Sequence, residues 1–178
     1  NICNFLTKKK YNVYGIDNFY SSSEDTLDLI KSNFFFFREK SILEEDIFDI
    51  SPFKIDTVIH LAAQTSVIKS IEDPKENDEI NIKGFKNILD LSKKNKVKNF
   101  FFASSCAVYG DCKILPNHEN IKNLKPTSPY ALSKLNNEKY SMHPSFNQMF
   151  IVGLRLYNIY GPMQNYSSEY SAIISKWT

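Results

Sequence analysis

Five apolar runs, "YNVYGID", "FFFFREK", "DTVIHLAA", "NFFFASS" and "FIVGLRLYN", punctuate the chain, and between them apolar residues return every three or four positions. The runs are rich in Phe, Val, Ile and Tyr and are short enough to be strands. They are nearly continuous rather than alternating, the mark of strands buried on both faces of a sheet. The intervening stretches predict helices. "NICNFLTKKK" sets Ile2, Phe5 and Leu6 at helical spacing ahead of a lysine run that suits a helix C-terminus, and "SSEDTLDLIKS" offers serine caps followed by Leu27 and Ile30. Between Lys75 and Lys96, Ile80, Phe85, Ile88, Leu89 and Leu91 describe an amphipathic helix, and Pro126 and Pro129 flank the start of another. Strand and helix alternating throughout predict an α/β fold with a parallel sheet covered on both faces.

A chain of 178 residues with 42% hydrophobic side chains can bury the core of one ordinary domain. Its charge is balanced, 22 basic against 20 acidic residues, and the lysine runs "TKKKY" and "SKKNKVKN" read as helix ends and loops, so no nucleic-acid partner is expected. Cys3, Cys106 and Cys112 are odd in number and lack Cys-x-x-Cys spacing, which speaks against a disulfide scaffold or a zinc site and suits a reducing, cytoplasmic compartment. His60, His118 and His143 are scattered, so no metal is expected, and His60 reads as a packed residue at a strand end. No run approaches the roughly eighteen apolar residues of a membrane span, and no membrane association is expected.

In open parallel sheets, ligands bind beyond the carboxyl ends of the strands. Those ends carry a coherent set here: Asp17 after the first run, "LAAQ" after the third, Ser104 and Ser105 after the fourth, and Asn158 after the fifth. Asp17 would accept hydrogen bonds from a ribose diol and repel a 2'-phosphate, favouring NAD over NADP. Ala62 and Ala63 are small enough to let a cofactor approach the backbone. Tyr-x-x-x-Lys occurs twice, as Tyr109 with Lys113 and as Tyr130 with Lys134, so the motif alone decides nothing. Gly110 interrupts the first pair, whereas nothing breaks the helix between Tyr130 and Lys134. A tyrosine, with a reference pKa near 10, is a poor base at neutral pH unless a cation stabilises its phenolate, at about 1.4 kcal/mol per unit of lowering. Lys134, one helical turn away, is placed to supply that charge, and Ser105 to share a hydrogen bond with the same substrate oxygen. Such a trio would remove a proton from a hydroxyl while a hydride leaves the same carbon.

Taken in order, "VYGIDNFYS", "EEDIFD", "VIHLAAQTSV", "NIKG", "FFFASSCAVYG", "SPYALSK", "LRLYNIYGP" and "SEYSAIISKW" resemble the extended short-chain dehydrogenase/reductase family, in particular its nucleotide-sugar 4-epimerases. The 25-residue interval from Ser105 to Tyr130 also fits that family. The resemblance implies a Rossmann-like, doubly wound parallel sheet and NAD as cofactor. It implies a UDP-hexose or UDP-N-acetylhexosamine substrate and a homodimeric full-length protein. Ser105, Tyr130 and Lys134 would be catalytic. Asp17 and Asn18 would lie at the adenosine ribose, Asp46 and Ile47 beside the adenine, and Leu61, Ala62, Ala63 and Ser104 along the cofactor. Tyr130 and Lys134 would also contact the cofactor, Ser105, Tyr130 and Asn158 the nucleotide-sugar, and Asn81 would be structural. "YGPMQNYSSEYSAIISKWT" most resembles the branch acting on UDP-N-acetylhexosamines or their uronic acids.

The family's opening strand and Gly-x-x-Gly-x-x-Gly loop have no counterpart, since Gly15, Gly84, Gly110, Gly153 and Gly161 are not so arranged. "NICNFLTKKK" resembles the later part of the helix after that loop. The expectation is therefore an internal piece of a longer enzyme, inactive alone: residues 1–178 as a partial NAD-binding domain, with the start of a substrate-binding region near 158–178. One rival is a nucleotide-sugar 4,6-dehydratase, whose elimination step uses an Asp-Glu pair shortly after the serine or threonine of this strand end. Cys106 and Ala107 stand there instead. Decarboxylase and 4-reductase chemistry remain open. A non-catalytic dinucleotide- or sugar-nucleotide-binding protein is the rival of another class, but binding alone does not require a tyrosine poised by a lysine. Cys106 lacks an identified base and reads as a small packed residue rather than a nucleophile.

Overall fold

The computed structural model describes residues 1–161, and the chain divides into two compact units, Asn1–Ile55 and the unit beginning at Asp56. The first unit contains helix α1 (Ile2–Lys8), strand β1 (Val13–Asp17), a 3-10 helix (Glu24–Leu29) and strand β2 (Phe35–Glu39). The strands pair in parallel, with Val13 opposite Phe35 and Asp17 opposite Glu39. The helix expected over "SSEDTLDLIKS" is only this 3-10 segment. Ser23 caps it as anticipated, its Oγ accepting from the Asp25 amide at 3.4 Å, but none of its residues is buried. Without packing, so short a segment has nothing to carry it into an α-helix.

The second unit holds β3 (Thr57–His60), α2 (Val67–Glu72), α3 (Pro74–Asp78), α4 (Phe85–Lys94), β4 (Asn99–Ser105), α5 (Pro129–Ser141) and β5 (Phe150–Leu156). Its strands are parallel in the order β3-β4-β5. All five expected strands are present, but they form two hydrogen-bonded sets, one in each unit, where the alternation alone suggested a single sheet. The core lies around β4 and α4: Phe85, Leu89, Phe100 and Val108 are almost wholly buried, and the Phe85 ring meets that of Phe102 edge-on at 4.9 Å. His60 ends β3 as a packed residue, 5.5 Å from the Phe85 ring, and burial pulls its pKa down to about 3. It is neutral at any physiological pH.

The single amphipathic helix expected from Lys75 to Lys96 is α3 and α4 joined by a π-helical segment, Glu79–Gly84. The reason is the work of Asn81, described below. Sequence patterning did not reveal α2. Its Ser66 cap is ordinary, with Oγ accepting from the Lys69 amide at 3.0 Å, but Val67, Ile68 and Ile71 are exposed, so no apolar face marks the helix.

Gly153 faces Phe102 across the β4–β5 ladder, and a Cβ there would stand 2.5 Å from Phe102 Cζ. Phe102 is buried against Phe85 and has little room to yield. Gly153→Ala should therefore cost about 1–3 kcal/mol, read as a lowered thermal midpoint of the full-length protein. An unchanged midpoint would mean that the ring gives way freely.

Candidate active site

The carboxyl end of β4 presents Ala103, Ser104 and Ser105, after which the backbone turns into a short 3-10 helix, Cys106–Tyr109. Ser105 caps that turn, its Oγ accepting from the Ala107 amide at 3.2 Å. Helix α5 starts where the proline pattern placed it, with Pro129 in its first turn and the Ser128 Oγ accepting from the Ala131 amide at 3.1 Å. The Tyr130 amide donates to Ser70 Oγ at 3.2 Å, fastening the first turn to α2. Tyr130 and Lys134 thus sit on successive turns of a helix pinned at its start.

Ser105, Tyr130 and Lys134 are brought together. The Ser105 hydroxyl stands close enough to the Tyr130 phenol to favour its phenolate by hydrogen bonding, and the Lys134 ammonium lies 5.7 Å from the centre of the Tyr130 ring. The ammonium donates to the Ala103 carbonyl at 2.9 Å. Burial lowers the Lys134 pKa to about 8, because a cation with 5% exposure has lost most of its hydration. The Tyr130 phenol departs from expectation: its pKa is raised rather than lowered. Burial of the ring disfavours the phenolate, and this outweighs the Ser105 hydrogen bond that favours it. The lysine that was to lower it is turned to a backbone carbonyl.

Behind the trio lies a buried amide network. Asn81 Oδ1 accepts from the Gln64 amide and its Nδ2 donates to the Gln64 carbonyl, both at 2.8 Å. Its Nδ2 also donates to Asn77 Oδ1 at 2.9 Å, while its backbone carbonyl accepts from Asn137 Nδ2 at 2.7 Å. Reaching Gln64 with its side chain and α5 with its carbonyl takes Asn81 out of regular helical geometry, which explains the π segment. The network fixes the chain just after β3, where Leu61 and Ala62 are exposed and Ala63 is half-buried. Leu61 keeps 48% of its surface open, an uncovered apolar side chain beside two small residues. Asn158 is exposed two residues past the end of β5.

The decoy pair separates. Gly110 adopts φ +53°, and Tyr109 is buried while Lys113 is exposed on the far side of that turn. Ser104 is buried with its hydroxyl donating to Glu138 at 2.5 Å.

In the first unit, Asp17 ends β1 with an exposed carboxylate whose Oδ1 accepts from the Phe19 amide at 2.8 Å. Asn18 is exposed beside it, its Oδ1 accepting from the Tyr20 amide at 3.3 Å. Asp46 is exposed and 3.2 Å from Lys40 Nζ, whereas Ile47, expected beside an adenine, is 2% exposed and part of the unit's core. Hydrophobic burial claims the isoleucine and leaves the carboxylate outside.

Two charged residues went unsuspected in the sequence. Glu138 lies one turn after Lys134, and Arg155 lies within β5; together they form a buried, two-point ion pair. The available signal was a lone arginine inside an apolar strand run, which needs a partner when it is buried.

The profile of the NAD dependent epimerase/dehydratase family matches residues 1–178, the whole chain. The chain belongs to this family. Among solved members, UDP-N-acetylglucosamine 4-epimerase from Methanobrevibacter ruminantium M1, in complex with UDP-N-acetylmuramic acid, is 33% identical. It superposes with a TM-score of 0.84 over 93% of this chain and 53% of that one. The UDP-glucuronate 4-epimerase of Thermodesulfobacterium geofontis is 34% identical over 170 residues, 89% of this chain and 51% of the relative. The dTDP-D-glucose 4,6-dehydratase of Dictyostelium discoideum is 36% identical over 180 residues, 90% of this chain and 41% of the relative. The chain thus spans about half the length of the relatives it matches, and it has the Rossmann-like fold of the epimerase/dehydratase family.

Proposed function

We propose that the full-length protein carrying this chain is an NAD-dependent UDP-sugar 4-epimerase, inverting C4 of a UDP-hexose or UDP-N-acetylhexosamine through a 4-keto intermediate. The observation that carries the reading is the convergence of Ser105, Tyr130 and Lys134 at the end of β4. Cys106 and Ala107 form the 3-10 turn that follows, so no carboxylate stands there to run the elimination of a dehydratase. A cytoplasmic homodimer without nucleic-acid or membrane partners completes the proposal. Among the described residues no helix is long and apolar enough to cross a membrane.

Taken unit by unit, the residues present suit NAD by their chemistry. Asp17 holds an exposed carboxylate at a strand end, suited to a ribose diol, with Asn18 and Asp46 also exposed. Leu61, Ala62 and Ala63 offer an open apolar strip with little side-chain bulk. When bound, NAD supplies the hydride acceptor for C4 and a positively charged ring that favours the Tyr130 phenolate. Tyr130 takes the C4 hydroxyl proton on its Oη and later returns it. Ser105 holds the same sugar oxygen by a hydrogen bond. Lys134 would add positive charge near the phenol and hold a ribose hydroxyl of the cofactor. Asn158 contacts the nucleotide-sugar.

The test is C4 inversion of UDP-glucose and UDP-N-acetylglucosamine by the full-length protein, followed by NMR. A product that had lost water between C5 and C6 would instead make it a dehydratase. Cofactor choice checks the role of Asp17. A hydrogen bond to a charged acceptor is worth about 1.5–3 kcal/mol, so Asp17→Ala should narrow the preference for NAD over NADP by about tenfold or more. Equal affinity of the unaltered protein for both cofactors would remove Asp17 from this role.

A further inference from the structure

We infer that Glu138, gripped by Arg155, is a positioning residue for Ser105, Tyr130 and Lys134, fixing how α5 sits on the end of β4. The epimerase reading above is needed only for the activity half of the test.

Glu138 is 7% exposed, and a carboxylate so placed costs several kcal/mol unless it is paired and fully hydrogen-bonded. It is both. Its Oε1 accepts from Ser104 Oγ at 2.5 Å and from Arg155 Nε at 2.9 Å, and its Oε2 accepts from Arg155 Nη2 at 2.8 Å. Two parallel bonds from one guanidinium fix direction as well as distance. Arg155 is itself held on three sides. It lies opposite Ser104 in the β4–β5 ladder, its guanidinium covers the Tyr109 ring at 5.0 Å, and its Nη1 donates to the Glu119 carbonyl at 3.4 Å.

The consequence lies in which residues α5 and β4 exchange. Three consecutive β4 residues each meet one α5 side chain, and those side chains are spaced one helical turn apart. Ser105 meets Tyr130, Ala103 meets Lys134 and Ser104 meets Glu138. The first two contacts involve the groups that do the chemistry. The third joins a buried charge to a buried hydroxyl, and it is the one braced by a two-point bond to the neighbouring strand. A helix that slid by one residue, about 1.5 Å, would lose all three. Misplacement on that scale costs proton transfer heavily.

Stability alone does not account for the pair. A buried ion pair is often matched or exceeded in stability by apolar residues of similar volume. What the pair adds is a single allowed register of the catalytic helix.

The decisive comparison uses the full-length, NAD-loaded protein with Glu138→Gln, Arg155→Lys and the apolar double variant Glu138→Leu/Arg155→Met. The single variants should lower kcat by about tenfold while KM for the UDP-sugar stays within about twofold. The double variant should regain the thermal midpoint of the unaltered protein but not its kcat. Tyrosine absorbance, titrated against the matching Tyr130→Phe proteins, should show the Tyr130 ionisation displaced by about half a unit or more in Glu138→Gln. That titration reads helix position even if the unaltered protein inverts no sugar, which would sink the epimerase reading alone. Should the single variants not fold, the double variant decides. A folded double variant with unaltered kcat and an undisplaced Tyr130 titration would reduce Glu138 and Arg155 to structural filler.

Discussion

Tyr130→Phe is expected to lower turnover of the full-length enzyme by at least about a hundredfold, within the range typical of a general acid/base, while sugar-nucleotide affinity persists. The substitution removes one oxygen and keeps the ring. The ring packs beside Lys134 and is fastened through its backbone amide to Ser70, and neither contact needs the hydroxyl. What disappears is the atom that Ser105 addresses. A hundredfold is about 2.7 kcal/mol of transition-state stabilisation, more than one ordinary hydrogen bond contributes. Tyr109→Phe makes the informative comparison, because Tyr109 has the same spacing to a lysine but lies under Arg155. Its effect should be far smaller. The measurement is C4 inversion by NMR with both variants, and a Tyr130→Phe enzyme as fast as the unaltered protein would leave the Tyr130–Lys134 pair as mere helix packing.

Lys134→Met should produce the opposite pairing of effects: turnover falling by about two orders of magnitude or more and NAD lost on gel filtration, with thermal stability held or improved near neutral pH. Nearly all of the lysine is buried, and burial holds its pKa down to about 8 from an ordinary 10.5. The unfolded chain therefore binds more protons than the folded one between those two values. Stability contributed by this residue rises with pH across that window, and the penalty of burying the cation is greatest below pH 8. Replacing it with an apolar residue of similar length removes that penalty and sacrifices the Ala103 hydrogen bond. Any stability advantage of Lys134→Met should accordingly shrink as pH climbs from about 8 towards 10.5. Denaturant melts of both proteins at pH 7 and pH 10 measure it. A gap that widens with pH would mean that Lys134 is not the buried cation described here.

The strands were legible because Phe, Val and Ile concentrate where a sheet is covered on both faces, and "NFFFASS" reads as β4 almost residue for residue. The choice between two Tyr-x-x-x-Lys motifs was legible for a local reason: Gly110 lies between one pair and takes a positive φ, while Pro129 starts an unbroken helix under the other. Long-range burial was the less legible part. Nothing local in "SPYALSKLNNEKY" announces that Glu138 reaches Arg155, which follows it by seventeen positions on another element. Burial also decided the Tyr130 pKa, since the spacing places a lysine nearby but cannot say that its ammonium points to Ala103. The burial of Ile47 is likewise not visible in the motif that holds it.

The π segment between α3 and α4 bears on how this helix tolerates insertions and deletions. A π turn arises when one residue more than the α-helix needs is accommodated within a turn. Removing one residue of Glu79–Gly84 other than Asn81 would let the backbone close into a regular α-helix, an apparent improvement by local hydrogen bonding. The repaired helix would nonetheless be out of phase, because one residue corresponds to about 100° of rotation. Asn81 could then face Gln64 or offer its carbonyl to Asn137, but not both. Reading-frame length in this stretch is therefore under tighter constraint than the identity of its exposed side chains, and a shortened loop would be tolerated more readily almost anywhere else on the surface.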